Sequence, residues 1–267
     1  MGYTEHFVKL SDGVQILYTD TGAPQASSAS LDYTTLVVLH GSGFNGDGLV
    51  PLHKHAHNDN LRIILWNRRD YRGSTKYTSE ELNALVHGSK THQDRLALHL
   101  AWFFAHFIKF EGTPALTPDR KAGGFILVGW SFGCATALAL LADPAVIPRP
   151  LYETIEPYLM GLVLYDPPGL ALGNPLPDGC VPGPPFVKNA HTPAQLCYQF
   201  QVVSAYFTHP DIATGTASGL STQTRPSKMT INSWTPEQLE RYFDGEALLR
   251  SEFPWCVGSY WAVIQSY

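Results

Sequence analysis

Four short and almost continuous apolar runs restrict the fold of this chain more than any other feature. The runs are TLVVLH (35–40), LRIILWN (61–67), GFILVGW (124–130) and GLVLYD (161–166). Their length and their lack of alternation are typical of strands buried on both faces of a sheet. Segments with helical periodicity separate them, and strands that alternate with helices form a parallel sheet covered by helices. The sequence therefore predicts an α/β fold.

A hairpin and an amphipathic helix complete the predicted core. HFVKL and VQILYTD flank the turn Ser11-Asp12-Gly13 and so indicate an N-terminal β-hairpin. In THQDRLALHLAWFFAHFIKF (91–110), one side of a helix collects the polar residues His92, Arg95, His99, His106 and Lys109. This pattern predicts a helix that covers the sheet and exposes a narrow polar strip.

The composition changes near residue 170. PPGLALGNPLPDGCVPGPPF (167–186) is dense in proline and glycine, which is typical of a loop. The segments 192–207 and 235–250 each open with Thr-Pro, a threonine N-cap followed by proline at the first helical position. We therefore expect a core over residues 1–169 and a mostly helical cap over residues 170–267, above the C-terminal edge of the sheet.

Composition and charge argue against several classes of function. The 267 residues are 44% hydrophobic and 15% charged, as in a folded globular protein, and the net charge of -5 does not favour a nucleic-acid partner. No uncharged apolar run approaches the ~20 residues of a membrane span. The N-terminus has no secretory signal pattern, and the cysteines are scattered at Cys134, Cys180, Cys197 and Cys256. These features predict a cytoplasmic protein with reduced thiols.

The junction FILVGWSFGCATALALLADP (125–144) carries the clearest chemical signal. A buried strand meets a helix without a loop, and Ser131 lies between Gly129 and Gly133. In this context Gly-x-Ser-x-Gly predicts a nucleophile elbow, a strained turn that projects the serine above the sheet. The backbone N–H of Phe132, at the start of the helix, would stabilise a developing oxyanion. The alternative is a tight strand–helix turn whose serine has no catalytic role.

A second glycine-rich turn follows the first buried run. LVVLHGSGFNGDG (36–48) places Ser42 between Gly41 and Gly43. In folds with a nucleophile elbow, the turn at this place supplies the second oxyanion donor. The N–H groups of Ser42 and Phe132 would then act together. The alternative is a β–α turn that merely requires small residues.

LHGSG, NRRDYRGS (67–74), GWSFG and LVLYDPPG, in this order, resemble the α/β-hydrolase fold family, in particular serine esterases and lipases with an inserted cap. The resemblance covers residues 1–169 and reaches the cap only in its character. It implies ester or amide hydrolysis through an acyl-enzyme, without metal or organic cofactor. Within this class we expect a small, apolar carboxylic ester or related acyl substrate, because the predicted cap is rich in aromatic residues. Ser131 maps onto the nucleophile, and Ser42 and Phe132 map onto the oxyanion donors. A serine at the elbow argues against the epoxide hydrolase and haloalkane dehalogenase branches, which place an aspartate there.

The acid and the base are harder to assign, because the family order is serine, then acid, then histidine. Asp166 ends the last apolar run and is the candidate acid, although an aspartate there can also cap the loop before Pro167. After Ser131 only His191 and His209 remain, and neither follows an apolar strand. We therefore expect a chain without its last core strands and its base, as in a fragment or a short isoform. The alternative function is an incomplete hydrolase-like or binding protein.

Three further features receive structural interpretations. HKHAHNDN (53–60) is close to a zinc-binding spacing but is interpreted as a solvated helix face. NRRDYRGS is interpreted as an internally paired loop, and Cys134 as a small core residue. Without later strands, GLVLYD would be an exposed sheet edge, so we expect such a chain to aggregate, to dimerise through that edge or to need help to stay soluble.

Overall fold

In the computed structural model, which describes residues 3–24, 32–172, 201–216, 219 and 229–257, a six-stranded sheet forms the centre of the chain. The strands are β1 (Thr4–Lys9), β2 (Gln15–Asp20), β3 (Thr34–Leu39), β4 (Leu61–Trp66), β5 (Phe125–Trp130) and β6 (Leu159–Tyr165). Their order is β1-β2-β4-β3-β5-β6. The hairpin β1–β2 is antiparallel and pairs antiparallel with β4, whereas β4, β3, β5 and β6 run parallel. The predicted hairpin and the four predicted buried runs are all confirmed as strands.

Helices pack on the sheet and continue into the second half of the chain. They are α1 (Ser79–Val86), α2 (Lys90–Phe110), α3 (Gly133–Ala142), α4 (Arg149–Ile155), α5 (Pro236–Tyr242), α6 (Gly245–Ala247), a π-helical turn (Leu248–Glu252) and α7 (Phe253–Val257). Short 3₁₀ segments occupy Gly46–His55, His57–Asp59, Glu156–Tyr158, Gly169–Leu172, Gln201–Ser204, Ile212–Thr214 and Thr230–Ser233. The main core lies between the sheet and α2, where Phe103, Phe104, Phe107 and Phe125 are fully buried.

The polar strip predicted for α2 is wrong at two of its five positions, which are buried. His92 and His99 are 6% and 2% exposed. His99 Nε2 lies 2.9 Å from a carboxylate oxygen of Asp12 in the β1–β2 turn. The His92 ring packs between those of Tyr77 and Trp255. Helical periodicity marks a polar face, but in the fold the hairpin turn and the C-terminal segment (residues 245–257) cover part of that face.

The predicted start of the second cap helix is confirmed, but its predicted length is not. Thr235 and Gln238 form a reciprocal capping box at the start of α5, with Pro236 in the first turn. The helix then ends at Tyr242, because Phe243 turns into extended backbone and bridges Phe44. The chain becomes helical again only from Gly245.

Part of the predicted cap lies outside the described residues. These include residues 192–200 of the first predicted cap helix, and His191. Of that helix, the described part contains the 3₁₀ turn Gln201–Ser204. The division of the chain at residue 169 stays a prediction.

Strand β6 is the last strand of the sheet order. The side chains of Val163 and Tyr165 are 45% and 65% exposed. In the part of the chain that the structure describes, no strand pairs with the outer edge of β6. Across the same residues, no helix combines the length and the apolarity that crossing a bilayer requires.

Candidate active site

Ser131 lies at the abrupt junction of β5 and α3 and adopts a strained backbone conformation. Its φ angle is 49°, in the left-handed region that residues with a Cβ seldom enter. Its backbone N–H donates to the Tyr165 carbonyl at the end of β6 (2.9 Å), which fixes the turn against the neighbouring strand. Such a conformation costs about 1–2 kcal/mol, and similar strain is concentrated at functional sites.

The two glycines that flank Ser131 allow close backbone contacts. A Cβ on Gly129 would lie 2.7 Å from the Cα of Cys134. A Cβ on Gly133 would lie 2.4 Å from the carbonyl oxygen of Leu39. Because both contacts involve backbone atoms, the Gly-x-Ser-x-Gly spacing is a steric requirement of this turn.

The turn after β3 lies directly beside the elbow. A Cβ placed on Gly41 would be 3.1 Å from the Cβ of Ser131, so the Gly41–Ser42 peptide runs past the serine. Within the described residues, neither the Ser42 nor the Phe132 backbone N–H donates to a protein acceptor. Both amides that the sequence proposes as oxyanion donors are therefore free to bind another acceptor.

Buried polar groups hold this turn from behind. His40 is fully buried: its Nε2 accepts from the Arg68 backbone N–H (3.0 Å), so Nδ1 donates to the Gly41 carbonyl (2.8 Å). Burial, reinforced by the Arg68 guanidinium, lowers the pKa of His40 well below its usual range and keeps the ring neutral. The same guanidinium donates to the Gly41 carbonyl at 3.0 Å, and the Tyr71 hydroxyl accepts from the Gly43 N–H at 2.9 Å.

The prediction that NRRDYRGS pairs internally is wrong. Each arginine pairs with another part of the chain, and the pairs are Arg68–Glu252, Arg69–Glu81, Arg72–Glu5 and Arg72–Asp47. The only acid of the loop, Asp70, accepts from the Tyr77 backbone N–H and from Arg250. Through these ion pairs the loop links the hairpin, α1 and the C-terminal segment.

Asp166 directly follows β6, next to Ser131 in the sheet, because the Ser131 N–H bonds the preceding residue. Its φ angle is 50° and its side chain is exposed. Among the described residues, no side chain bonds the Ser131 hydroxyl and no histidine bonds Asp166. His209 lies in the described part of the predicted cap, where its ring stacks on Phe207. The structure thus brings the serine, the candidate acid and the two amides together, but no described histidine joins them.

Two sequence features remain, the histidine-rich segment 53–60 and Cys134. His53, His55 and His57 lie on the 3₁₀ segments after the Gly41–Gly43 turn, and no metal-binding cluster occurs in the chain as far as the structure describes it. Cys134 is buried, and its Sγ donates to the Gly129 carbonyl. Burial raises the pKa of this thiol to about 11, as fits a core residue.

Sequence reasoning missed three residues that support the site. Glu252 and Trp255 approach from the C-terminal segment, and Asn45, fully buried, ties the turn to α5. A signal for Glu252 existed in the sequence, because it is a single acid between apolar residues in LLRSEFPW (248–255). Nothing in the local sequence marks Asn45 as buried.

A serine in left-handed conformation between a parallel strand and a helix, beside a glycine turn with free amides, defines the α/β-hydrolase architecture. The sequence matches the model of the alpha/beta hydrolase family over residues 36–257, and the chain belongs to this family. No curated protein sequence gives a significant match.

Solved structures show the same fold at low sequence identity. Cfl2 from Burkholderia cenocepacia is 16% identical with a TM-score of 0.55, over 100% of this chain and 75% of that one. An epoxide hydrolase mutant from Vigna radiata is 12% identical with a TM-score of 0.54, over 99% of this chain and 76% of that one. The esterase EaEST from Exiguobacterium antarcticum is 18% identical with a TM-score of 0.41; the match covers 61% of this chain and 46% of the esterase. This chain thus spans less than half of that esterase. The matches to Cfl2 and to the Vigna radiata enzyme show a likeness of fold alone.

Proposed function

We propose that this protein is a serine hydrolase that cleaves a small, apolar carboxylic ester or related acyl substrate through an acyl-enzyme on Ser131. The observation that carries the proposal is the strained φ of 49° at Ser131, beside two backbone amides that donate to no protein acceptor among the described residues. The hydroxyl attacks the carbonyl carbon, and the N–H groups of Ser42 and Phe132 stabilise the oxyanion. Each such donor contributes about 10²–10³-fold in rate.

The apolar surroundings of the elbow support an apolar substrate. Trp130 precedes Ser131 and belongs to a cluster that contains Phe44 from the neighbouring turn and Trp234 and Phe243 from the predicted cap. Ligand pockets are lined mainly by such side chains, with a few polar groups that fix orientation. We infer that residues 170–267 act as the cap over the acyl site.

The acid in this proposal is Asp166, and the base is a histidine that the described residues do not supply. A serine without its base loses several orders of magnitude in rate. For this reason the second candidate function is a binding protein with the hydrolase fold, in which Ser131 is not activated. The observation that favours it is the lack of any hydrogen bond from a described side chain to the Ser131 hydroxyl.

Covalent labelling with a fluorophosphonate probe separates the two candidates. We expect the unmodified chain to label and Ser131→Ala not to label, because the probe reacts with an activated serine hydroxyl. Ser79→Ala removes an exposed hydroxyl at the start of α1 and serves as the matched control, with labelling unchanged. Turnover of short-chain p-nitrophenyl esters should follow the same pattern. Equal labelling of Ser131→Ala and the unmodified chain would refute the hydrolase proposal, and an absence of labelling in both would favour the binding protein.

We further propose a cytoplasmic protein that self-associates through the edge of β6. The scattered cysteines support the location, and the exposure of Val163 and Tyr165 supports the association. Analytical ultracentrifugation tests the association: Val163→Lys with Tyr165→Lys should yield a monomer, because charged side chains blunt exposed edges. A monomeric unmodified chain would contradict it.

A further inference from the structure

Residues 245–257, which comprise α6, the π-helical turn and α7, are attached to the core by a buried ion pair. Arg68, just after β4, pairs with Glu252 at the end of the π-helical turn, and the two side chains are only 7% and 3% exposed. Burial of two charges costs much of their solvation, so each charge depends on the other. Burial alone would lower the pKa of the Arg68 guanidinium, but the Glu252 carboxylate raises it above its usual value.

The same guanidinium fixes the turn that carries Ser42. It donates to the Gly41 carbonyl at 3.0 Å and lies 3.4 Å from the Tyr71 hydroxyl, which in turn accepts from the Gly43 N–H. On one side of Ser42, Arg68 therefore holds the Gly41 carbonyl. On the other side, the Tyr71 hydroxyl holds the Gly43 N–H. Because a peptide unit is planar, the direction of the Gly41 carbonyl sets the direction of the Ser42 N–H.

Phe132, whose N–H is the second proposed oxyanion donor, also contacts Arg68 and residues 245–257. The ring of Trp255, in α7, meets the Phe132 ring edge to face at 4.5 Å. The Arg68 guanidinium lies 5.4 Å from the centre of that Phe132 ring. Residues 245–257 thus contact the supports of both amides.

We propose that Arg68 and Glu252 are positioning residues that couple the docking of residues 245–257 to the geometry of the oxyanion hole. This proposal rests on the proposed function of Ser131. With the segment docked, Glu252 holds Arg68 where it can bond Gly41. With the segment displaced, Arg68 loses its carboxylate and turns towards water. The Gly41 carbonyl then keeps only the bond from His40 Nδ1, and the Ser42 N–H is held less firmly in its direction.

Hydrogen exchange tests the coupling. We expect Glu252→Gln to speed exchange by about tenfold or more in residues 245–257 and at the Gly43 amide together. The matched control is Glu246→Gln in the same segment, whose carboxylate forms an exposed pair with Lys76; its exchange should equal that of the unmodified chain. Faster exchange in residues 245–257 without a change at Gly43, or no change at either, would overturn the proposal.

A double variant separates positioning from stability. Arg68→Met with Glu252→Leu removes both buried charges at similar volume, so the fold should remain stable even if Glu252→Gln fails to fold. The Gly41 carbonyl nevertheless loses a donor. We therefore expect the maximal rate of fluorophosphonate labelling to fall about tenfold or more, with the half-saturating concentration unchanged.

Labelling of this double variant at the rate of the unmodified chain would mean that the pair serves stability alone, and would overturn the positioning role. The two proposals also fail separately. If the unmodified chain does not label at Ser131, the proposed function fails, and hydrogen exchange still supports or overturns the coupling.

Discussion

At the residue scale, Ser131 adopts a left-handed backbone that the elbow requires and that lowers the stability of the fold. Glycine enters the left-handed region without steric cost, whereas alanine and serine do not. With φ at 49°, Ser131→Gly should therefore be more stable than Ser131→Ala by about 1 kcal/mol, although both lack the hydroxyl. Urea unfolding of the two variants measures this difference.

The control for this comparison is Ser79, at the first position of α1. There the order should reverse, with the glycine variant less stable than the alanine variant by about 0.5–1 kcal/mol, because glycine loses more backbone entropy on folding. If glycine is not the more stable substitution at position 131, the strain inferred from φ is absent.

A second prediction at this scale concerns the close approach at Gly133. Gly133→Ala places a Cβ 2.4 Å from the Leu39 oxygen and 2.6 Å from the His40 oxygen, and neither backbone atom can move without shifting β3. We expect a loss of about 3 kcal/mol in unfolding free energy, at the upper end of overpacking costs. Gly161→Ala in β6 meets no atom within 4 Å and should be neutral or stabilising by about 0.5 kcal/mol. Equal stabilities of the two variants, measured by urea unfolding, would contradict the close contact.

At the element scale, α5 is attached to the turn after β3 by Asn45. Its amide donates to the Arg241 carbonyl (2.8 Å) and to an Asp244 carboxylate oxygen (2.7 Å), and its side-chain oxygen accepts from the Asp47 N–H (3.0 Å). Asn45→Ala leaves the buried Asp47 N–H, the partly buried Arg241 carbonyl and the partly buried Asp244 carboxylate without this partner. We expect a loss of about 2–4 kcal/mol in unfolding free energy, because each unsatisfied buried group costs about 1–3 kcal/mol.

Asn83→Ala makes the same chemical change on the exposed face of α1 and should stay within about 0.5 kcal/mol of the unmodified chain. Denaturant unfolding of both variants decides the point. Losses of similar size would show that the bonds of Asn45 add nothing beyond the change of residue type.

Local patterns explain which elements the sequence could predict. Strands β3 to β6 are continuous apolar runs, and the Thr-Pro start of α5 is a capping pattern, so each is encoded within a few residues. The elbow was equally predictable, because Ser131 and its two glycines lie within five consecutive residues. The burial of His92 and the partners of Arg68 were not predictable, because they depend on the hairpin and on residues 245–257, which are distant in sequence. No base histidine is assigned, because no described histidine bonds Asp166 and His191 lies outside the described residues.

At the scale of the whole molecule, the described part of the fold buries three imidazoles and disfavours their protonation. Burial lowers the pKa values of His40, His92 and His99, and for His92 the value is about 3. In the unfolded chain these rings take up protons near pH 6.5, whereas in the fold they take up protons only at lower pH. Their contribution to stability is therefore complete above pH 6.5 and is lost as the pH falls towards the folded values. The chain should lose stability in mild acid.

His92→Phe tests this effect for one ring. Phenylalanine keeps the packing against Tyr77 and Trp255, and it removes an Nε2 that lacks a partner among the described residues. Around His92 the charged groups are Arg69, Arg95 and Glu81. They remain in the variant, so the loss of the titrating ring is the main change. At pH 5 the unmodified chain should have lost about 2 kcal/mol through this ring, and His92→Phe should retain it.

The measurement is the unfolding free energy in urea at several pH values between 7 and 4.5. Below about pH 5.5 its slope with pH should be smaller for His92→Phe than for the unmodified chain by about 1.4 kcal/mol per pH unit, the equivalent of one proton. His55→Gln, on the exposed 3₁₀ segment, is the control for removal of an imidazole outside this stack. Because the imidazole of the unfolded chain binds a proton that the buried ring does not bind, an unchanged slope in His92→Phe would mean that His92 is protonated in the fold. That result would contradict the buried stack of His92, Tyr77 and Trp255, through which residues 245–257 contact α2.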